Sequence, residues 1–189
     1  MKALDAGAFG IICPMVGSAQ QAAEFASCMR YPPLGQRSFG PTRVSFAAGA
    51  DYGARANNEM LAFAMIETAE GMANLSSIAA TPGLDGLYVG PADLTLGLAR
   101  GRLAPGLDRE EPEMIAALKE ILAACKSNNI RAALHCGTPE YAARAIEWGF
   151  DMTTVSGDSR LLAEAAGASV AKFRQLIAQT GPKSEKGAY

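Results

Sequence analysis

The sequence has one histidine, and its four cysteines show no CxxC pair and no other tight metal-ligand spacing. This absence excludes the common zinc sites, which are built from clusters of cysteine and histidine. No GxGxxG motif follows a strand candidate and no GxxxxGK[ST] motif occurs, so dinucleotide-binding and P-loop folds lose support. The formal charge is only −2 over 189 residues, with no basic excess that would indicate a nucleic-acid partner.

The chain also lacks any apolar run near the roughly 18 residues that a membrane span needs. Its start, MKALDAGAFG, does not have the shape of a signal peptide, because Asp5 interrupts a short apolar stretch. We therefore interpret the cysteines as reduced thiols and expect a cytoplasmic protein without nucleic-acid or membrane partners.

What the sequence does have is a repeated alternation of short apolar runs with longer stretches of helical period. Each predicted strand is almost continuously apolar, which is typical of parallel strands buried on both faces. The predicted strands are Gly10–Cys13, Leu61–Ile66, Gly86–Val89, Ala132–His135 and Met152–Val155. The predicted helices are Ala19–Met29, Ala69–Ala79, Glu110–Ser127, Pro139–Trp148 and Ser159–Ala178. This pattern predicts an α/β fold with a parallel sheet, either a doubly wound sheet or a barrel.

Helix signals agree with this interpretation. Ser18 is a candidate N-cap, Thr138 precedes a proline at a first helical position, and Gly149 ends a predicted helix. The segment 30–58, in contrast, is rich in Pro, Gly, Arg and aromatic residues. It is too long for an ordinary strand-to-helix connection, so we expect a long loop with a functional role.

The number of strands bears on the type of fold. A complete (β/α)8 TIM barrel takes about 250 residues. Five predicted strands in 189 residues therefore indicate about five C-terminal β/α units, with the first three units missing. We expect residues 1–180 to form a single, partial TIM-barrel domain and residues 181–189 to be a polar tail.

Two carboxylates follow consecutive strand candidates. Glu67 comes directly after LAFAMI, and Asp93 follows GLYVGPA. Neighbouring parallel strands lie about 4.8 Å apart, so both side chains should emerge over the same carboxyl edge, where α/β folds keep their active sites. Two close carboxylates repel each other unless a proton or a cation lies between them. An oxygen-only ligand set favours Mg²⁺ or Mn²⁺.

Each carboxylate also has a purely structural interpretation. Glu67 can favour the N-terminal dipole of the helix that follows it. Asp93 can be the N-cap of a short turn in DLTLG. Their matched placement, with a rigid Gly-Pro turn before Asp93, favours the metal site.

Two motifs together resemble a known family. MIETAEGMANL, followed by LDGLYVGPADLTLGL, resembles the metal-dependent class II pyruvate aldolases of the 4-hydroxy-2-oxo-heptanedioate aldolase family. That family shares its barrel with the citrate lyase beta chain. The similarity extends through LDAG, PMV and RYPPLGQRSFG upstream and EWGFDMTTVSGDSRLL downstream, and so covers nearly the whole chain.

The resemblance implies a lyase that splits a 4-hydroxy-2-oxo acid into pyruvate and an aldehyde. Glu67 and Asp93 would bind the divalent metal, and backbone amides near Gly90 and Ala92 would hold the pyruvate carboxylate. The metal would stabilise the enolate as a Lewis acid, so that no Schiff-base lysine is needed. The resemblance also implies a homo-oligomer, with the Ala-rich final helix packing across a subunit boundary. Ordinary packing of that helix on its own barrel is the alternative.

The sequence departs from the family in two respects. Met65 stands where family members often have Gln, so that one polar contact to the oxo acid is absent. The family's general-base histidine and pyruvate-binding arginine come from the first strands, which this chain lacks. Asp5 matches the acidic residue that orients that histidine.

Two further residues are candidates for the site. His135 ends a strand candidate, so it can line the pocket or replace the base; the alternative is a hydrogen-bonded residue that supports the rim. Arg37, in the long loop, can meet a carboxylate of the substrate; the alternative is a solvated loop arginine.

Two other functions remain open at this point. One is an acyl-CoA lyase of the citrate lyase beta type, although RYPPLGQRSFG favours the oxo-acid aldolases. The other is a truncated, non-catalytic chain that only binds metal or assembles with a partner, as open sheet edges would allow.

Overall fold

The computed structural model describes residues 1–180 and divides the chain into a unit Met1–Val155 and a second unit that begins at Ser156. The strands are β1 Gly10–Cys13, β2 Leu61–Ile66, β3 Gly86–Val89, β4 Arg131–Leu134 and β5 Met152–Thr153. The helices are α1 Lys2–Asp5, α2 Ala19–Met29, α3 Thr42–Ala48, α4 Tyr52–Glu59, α5 Ala69–Ala73, α6 Leu75–Ala79, α7 Pro91–Ala99, α8 Pro112–Ser127, α9 Pro139–Trp148 and α10 Asp158–Thr180.

The five strands form one sheet in the order β1-β2-β3-β4-β5, and every neighbouring pair is parallel. Each connection between neighbouring strands contains at least one helix, as parallel pairing requires. The predicted α/β fold with a parallel sheet is thus confirmed. Five sequential parallel strands with helical crossovers are consistent with part of a (β/α)8 barrel.

Side chains alternate between the two faces of the sheet, and the two faces belong to different clusters. The face toward the helices belongs to the large core, which takes from β2, β3 and β4 the residues Ala62, Ala64, Ile66, Leu87, Val89, Ala132 and Leu134. The other face forms a small separate cluster of Phe63, Tyr88 and Ala133, with Met65 packed against it. We call this second face the inner face.

An aspartate precedes each of two strands and binds the neighbouring strand at its amino end. Asp85 accepts a hydrogen bond from the Ala62 N–H at 2.6 Å and forms an ion pair with Arg30 at 2.6 Å. Asp151 accepts a hydrogen bond from the Ala132 N–H at 2.9 Å, and this bond lowers the pKa of Asp151. The two carboxylates thus join β3 to β2 and β5 to β4.

The segment 30–58 is the main difference from the prediction of a long loop. It contains the short helices α3 and α4, separated by Gly49 in the left-handed region at φ +97°. Buried Val44, Tyr52 and Ala56 anchor the two helices to the core. Local composition suggested an irregular segment, whereas burial of these few side chains stabilises helix.

Two other elements differ from the predicted ones. The predicted helix Ala69–Ala79 is divided at Asn74, whose side-chain amide donates a hydrogen bond to the Gly17 carbonyl at 2.7 Å. The segment DLTLG is no short turn but part of α7, in which Asp93 lies in the first turn. The predicted caps are confirmed: Ser18 accepts from Gln21 N–H, and Gly149 ends α9 at φ +106°.

The second unit contains α10, which has 23 residues. The predicted domain over residues 1–180 extends over both units, and the predicted tail 181–189 lies outside the described residues. Among residues 1–180, no helix is long and apolar enough to cross a membrane.

Candidate active site at the carboxyl edge of the sheet

A cavity of about 370 Å³ lies at the carboxyl ends of the strands. Its lining comes from residues in or just after β1, β2, β3 and β4, together with one residue before α8. The lining residues are Ile12, Met65, Glu67, Tyr88, Gly90, Pro91, Ala92, Asp93, Leu107 and His135. The structure therefore brings together five of the residues that the sequence suggested for the site: Glu67, Asp93, Gly90, Ala92 and His135.

Glu67 directly follows β2 and is only 5% exposed. Its Oε1 accepts a hydrogen bond from the backbone N–H of Met15 at 2.7 Å. Its Oε2 lies beside Gly90, where an added Cβ would come within 2.6 Å of it. One carboxylate oxygen is thus fixed by the backbone of another loop, and the other lies against the turn after β3.

Met15 was not among the residues that the sequence suggested. It has φ +60°, in the left-handed region that residues other than glycine seldom adopt, while its side chain is 60% exposed. Residues with this kind of backbone strain cluster at functional sites, although Arg100, Asp108 and Asn129 also have positive φ in this chain. Nothing in the sequence marks it, since the contribution of Met15 is a main-chain N–H that every residue except proline has.

Asp93 lies exposed in the first turn of α7 and contributes a second negative charge to the cavity. Burial raises the pKa of Glu67; the Met15 N–H opposes this shift, and the charge of Asp93 adds to it. Among the described residues that line the cavity, none is lysine or arginine. A cation bound between the two carboxylates would remove their repulsion.

Gly90 and the helix start after it form the floor of the site. Gly90 is the N-cap of α7, Pro91 is the first helical residue, and Thr95 Oγ1 donates to the Pro91 carbonyl at 2.7 Å. The first-turn N–H groups of a helix have no acceptor within the helix, so that of Ala92 is available to an anion. Any residue other than glycine at position 90 would displace Glu67.

His135 follows β4, and its backbone N–H donates to the Val89 carbonyl at 3.2 Å. Its ring Nδ1 lies 2.8 Å from Tyr88 Oη and 3.2 Å from Thr154 Oγ1. Tyr88 is 3% exposed on the inner face of β3. Its place in the strand was a usable signal, since residues two apart share a face and Tyr88 stands two before Gly90.

Arg37 and Asp5 lie outside this cavity and bind each other. Arg37 is 1% exposed, and its Nη2 donates to Asp5 Oδ1 at 2.8 Å and to Tyr52 Oη at 3.0 Å. Its guanidinium lies 4.5 Å from the ring centroid of Tyr31. We call these four residues the Arg37 cluster. Arg37 is therefore neither a solvated loop residue nor part of the cavity lining. Its charge is neutralised by Asp5.

The four cysteines, Cys13, Cys28, Cys125 and Cys136, are free thiols. Burial raises the pKa of Cys125 to about 11 and that of Cys136 to about 12. Such thiols stay protonated near neutral pH and are poor nucleophiles. Although Cys136 is next to His135, we therefore assign it no chemistry.

Comparison with known proteins gives one consistent result. A family described as HpcH/HpaI aldolase/citrate lyase matches residues 1–165. A hydroxypyruvate/pyruvate aldolase of Rhizorhabdus wittichii is 40% identical over 176 residues, which are 93% of this chain and 69% of that protein. A 2-dehydro-3,6-dideoxy-6-sulfogluconate aldolase of Pseudomonas putida is 32% identical over 163 residues, 85% of this chain and 62% of that protein.

A solved structure is similar over most of the chain as well. It is an HpcH/HpaI aldolase/citrate lyase family protein from Burkholderia cenocepacia, with a TM-score of 0.78 and 32% identity. The match covers 92% of this chain and 68% of that protein. The chain thus spans about two thirds of the length of the proteins that it resembles, between 62% and 69%.

Proposed function

Because this chain belongs to the HpcH/HpaI aldolase/citrate lyase family, we propose that it acts as an aldehyde-lyase on a 4-hydroxy-2-oxo acid. The products are pyruvate and an aldehyde. The observation that carries the proposal is the position of Glu67 and Asp93 in one cavity at the carboxyl edge of a parallel sheet. Two relatives compared above are named hydroxypyruvate/pyruvate aldolase and 2-dehydro-3,6-dideoxy-6-sulfogluconate aldolase, which agrees with this class of reaction.

Glu67 and Asp93 are the residues that would hold a divalent metal, Mg²⁺ or Mn²⁺. The donor set fits such an ion, since it offers only carboxylate oxygens and no lysine or arginine among the described lining residues competes for them. Among the described residues, no group of three or more His, Cys, Asp or Glu side chains is placed to hold a metal. Two protein ligands leave coordination positions for water and substrate. When bound, the metal supplies Lewis-acid stabilisation of an enolate oxygen.

The other residues of the site bind and orient the substrate. The N-terminal turn of α7 presents the N–H of Ala92 to the carboxylate of the oxo acid, whereas the N–H of Gly90 already donates to the Ile66 carbonyl at 3.3 Å. The Met15 N–H holds Glu67 in one orientation. The cavity, at about 370 Å³, is in the range of small-molecule sites. Met65 lines it without offering a strong hydrogen bond to the oxo acid.

Arg37 and Asp5 are not part of this site proposal, because both lie in the Arg37 cluster. The acyl-CoA lyase alternative is not better supported, since the family description covers aldolases and citrate lyases alike and the relatives compared above are named as aldolases. We further propose, from the resemblance and the four free thiols, that the protein works as a cytoplasmic homo-oligomer. Light scattering would test the oligomer.

The test of the function is release of pyruvate from a 4-hydroxy-2-oxo acid, assayed with and without Mn²⁺. We expect metal-dependent release by the native protein. Glu67→Gln should abolish this release. It should also weaken Mn²⁺ binding, measured by the spin-resonance signal of free Mn²⁺, by at least about 10-fold. Glu70→Gln, an exposed carboxylate three residues further on, is the matched control and should retain both properties. Absence of metal-dependent release would refute the enzyme proposal, and unchanged binding in Glu67→Gln would refute the ligand.

A further inference from the structure

Two residues that line the cavity, Tyr88 and His135, belong to a hydrogen-bonded group with no role in the metal site. It consists of Tyr88, His135 and Thr154, each from or next to a different strand. His135 follows β4 and Glu67 follows β2, so two strand spacings, on the order of 10 Å, separate their backbones. This distance leaves room for the metal and the oxo-acid part of a substrate near Glu67 and for the remaining part near His135.

The two ring nitrogens of His135 differ in their hydrogen-bond partners. Nδ1 faces Tyr88 Oη at 2.8 Å and Thr154 Oγ1 at 3.2 Å. Nε2 is at the other side of the ring, and no hydrogen bond from it to a residue in the described part of the chain is found. Since His135 lines the cavity, Nε2 is the nitrogen available to a bound molecule.

The neighbours of Nδ1 determine where the ring proton lies. Burial raises the pKa of Tyr88 and outweighs a hydrogen bond with Thr154 that lowers it, so the phenol keeps its proton and can donate it to Nδ1. Thr154 Oγ1 has its own partner in Cys136, whose N–H donates to it at 3.0 Å and whose carbonyl accepts from it at 3.4 Å. With Tyr88 as the donor, Nδ1 is the acceptor and the proton of the neutral ring lies on Nε2.

We propose that His135 presents its Nε2–H to the cavity as a fixed hydrogen-bond donor for the C4 oxygen of the substrate, and that Tyr88 is the positioning residue that holds this tautomer. The inference rests on the proposed function. In the proposed function, the C1 carboxylate and the C2 keto oxygen would be bound near Glu67 and Asp93. The remaining oxygen that all 4-hydroxy-2-oxo acids share is the one on C4.

The chemistry of cleavage gives such a donor a task. The C3–C4 bond breaks and its electron pair forms the enolate of pyruvate, while the C4 hydroxyl proton passes to solvent and C4 becomes a carbonyl carbon. Negative charge develops on the C4 oxygen, and a placed N–H stabilises it, as oxyanion donors do. His135 keeps its own proton throughout, so its part differs from that of a general base. In the reverse reaction the same N–H polarises the aldehyde.

A nuclear magnetic resonance experiment tests the tautomer directly. His135 is the only histidine in the sequence, so ¹⁵N-labelled imidazole in protein made without a histidine tag reports on this ring alone. At slightly alkaline pH we expect an acceptor-type nitrogen at Nδ1 and a proton-bearing Nε2. Tyr88→Phe should give a mixture of the two tautomers. A proton on Nδ1 in the native protein would overturn the inference.

Kinetics test the contact with the substrate. His135→Ala should lower kcat/KM for cleavage by about 100-fold, the usual effect of removing one oxyanion donor. His135→Gln, whose amide N–H can reach a similar place, should recover part of that loss. Exchange of the pyruvate methyl protons in deuterated water with Mn²⁺ needs no aldehyde, so it should continue at the native rate in both variants and at the same time show that they are folded.

The outcomes separate the two proposals. Equal loss of cleavage and exchange in His135→Ala would place His135 on the pyruvate side and overturn the inference. Unchanged cleavage would overturn it as well. If the native protein shows neither metal-dependent exchange nor cleavage, the proposed function fails, and the inference fails with it.

Discussion

The unit Met1–Val155 contains two polar groupings that use buried charge in opposite ways. In the cavity, like charges meet: Glu67 is 5% exposed, and Asp93 adds to the rise in its pKa. In the Arg37 cluster, opposite charges meet: Arg37 is 1% exposed and bound to Asp5. Among the described residues that line the cavity, no lysine or arginine offsets the first grouping, whereas Arg37 and Asp5 neutralise each other. A cation beside Glu67 would favour its charged form, whereas Arg37 already has a counter-charge whose removal would leave a buried charge unpaired.

The electrostatics of the two residues differ accordingly. Burial by itself would lower the pKa of Arg37, but its bonds to Asp5 and Tyr52 outweigh burial and raise the pKa. For Glu67, burial raises the pKa, and its one bond to Met15 does not cancel that effect. The charged form is therefore favoured at Arg37 and disfavoured at Glu67.

The largest expected change in stability comes from replacing the buried guanidinium of Arg37. Arg37→Met removes the cation between two tyrosine rings and leaves Asp5 without its partner, so we expect the free energy of unfolding to fall by about 3 kcal/mol. Urea denaturation would measure the loss. Arg102→Met, which removes an exposed ion pair with Glu113, is the control and should cost less than about 1 kcal/mol. Mn²⁺ affinity of the folded variant should be unchanged; a large loss of affinity would show that the two groupings are one system.

A pH titration tests the raised pKa of Glu67 in the cavity. Because the pKa of Glu67 is raised in the folded state, the metal-free protein should lose stability as the pH rises upward from the ordinary value of 4.5 through the raised folded value. Glu67→Gln has no such charge, so the native protein minus this variant should show a falling stability difference in this range. Thermal unfolding over pH would measure it. Saturating Mn²⁺ should remove the fall, since a cation favours the carboxylate, and a rising difference without metal would contradict the assignment.

The smallest expected effect concerns the strained residue beside Glu67. Met15→Gly relieves the left-handed backbone, a cost of about 1–2 kcal/mol for other residues, but adds flexibility that costs about 0.5–1 kcal/mol. We expect a net gain in unfolding free energy of less than about 1 kcal/mol, with Mn²⁺ affinity unchanged because the N–H remains. Met15→Ala keeps the strain and should show no gain. Lower affinity in the glycine variant would mean that strain, besides the hydrogen bond, orients Glu67.

The sequence was sufficient for features that depend on local pattern. Strands β1, β2 and β3 begin and end where apolar runs do, and Glu67 and Asp93 were found because each follows such a run. β4 and β5 differ from the predicted bounds by one or two residues, as strand ends often do. The parallel sheet follows from the alternation of these runs with helices.

Features that depend on distant contacts could not be predicted. The donor to Glu67 is the backbone of Met15, 52 positions away, and backbone groups carry no sequence signature. The burial of Arg37 depends on α4, which brings Tyr52 to it and which local composition did not reveal. Tyr88 was recognised as a strand residue, but its bond to His135 requires the register between β3 and β4.

The aspartates that precede β3 and β5 have a consequence for the opposite edge of the sheet. A strand that shifted by one residue against its neighbour would turn its inward side chains outward, and Glu67 or His135 would then face the helices. Asp85 and Asp151 each accept one particular main-chain N–H, from Ala62 and Ala132, and so favour a single alignment. Asp85 and Asp151 thus hold the strand register from the amino edge of the sheet, and the same register sets the positions of Glu67 and His135 at the carboxyl edge.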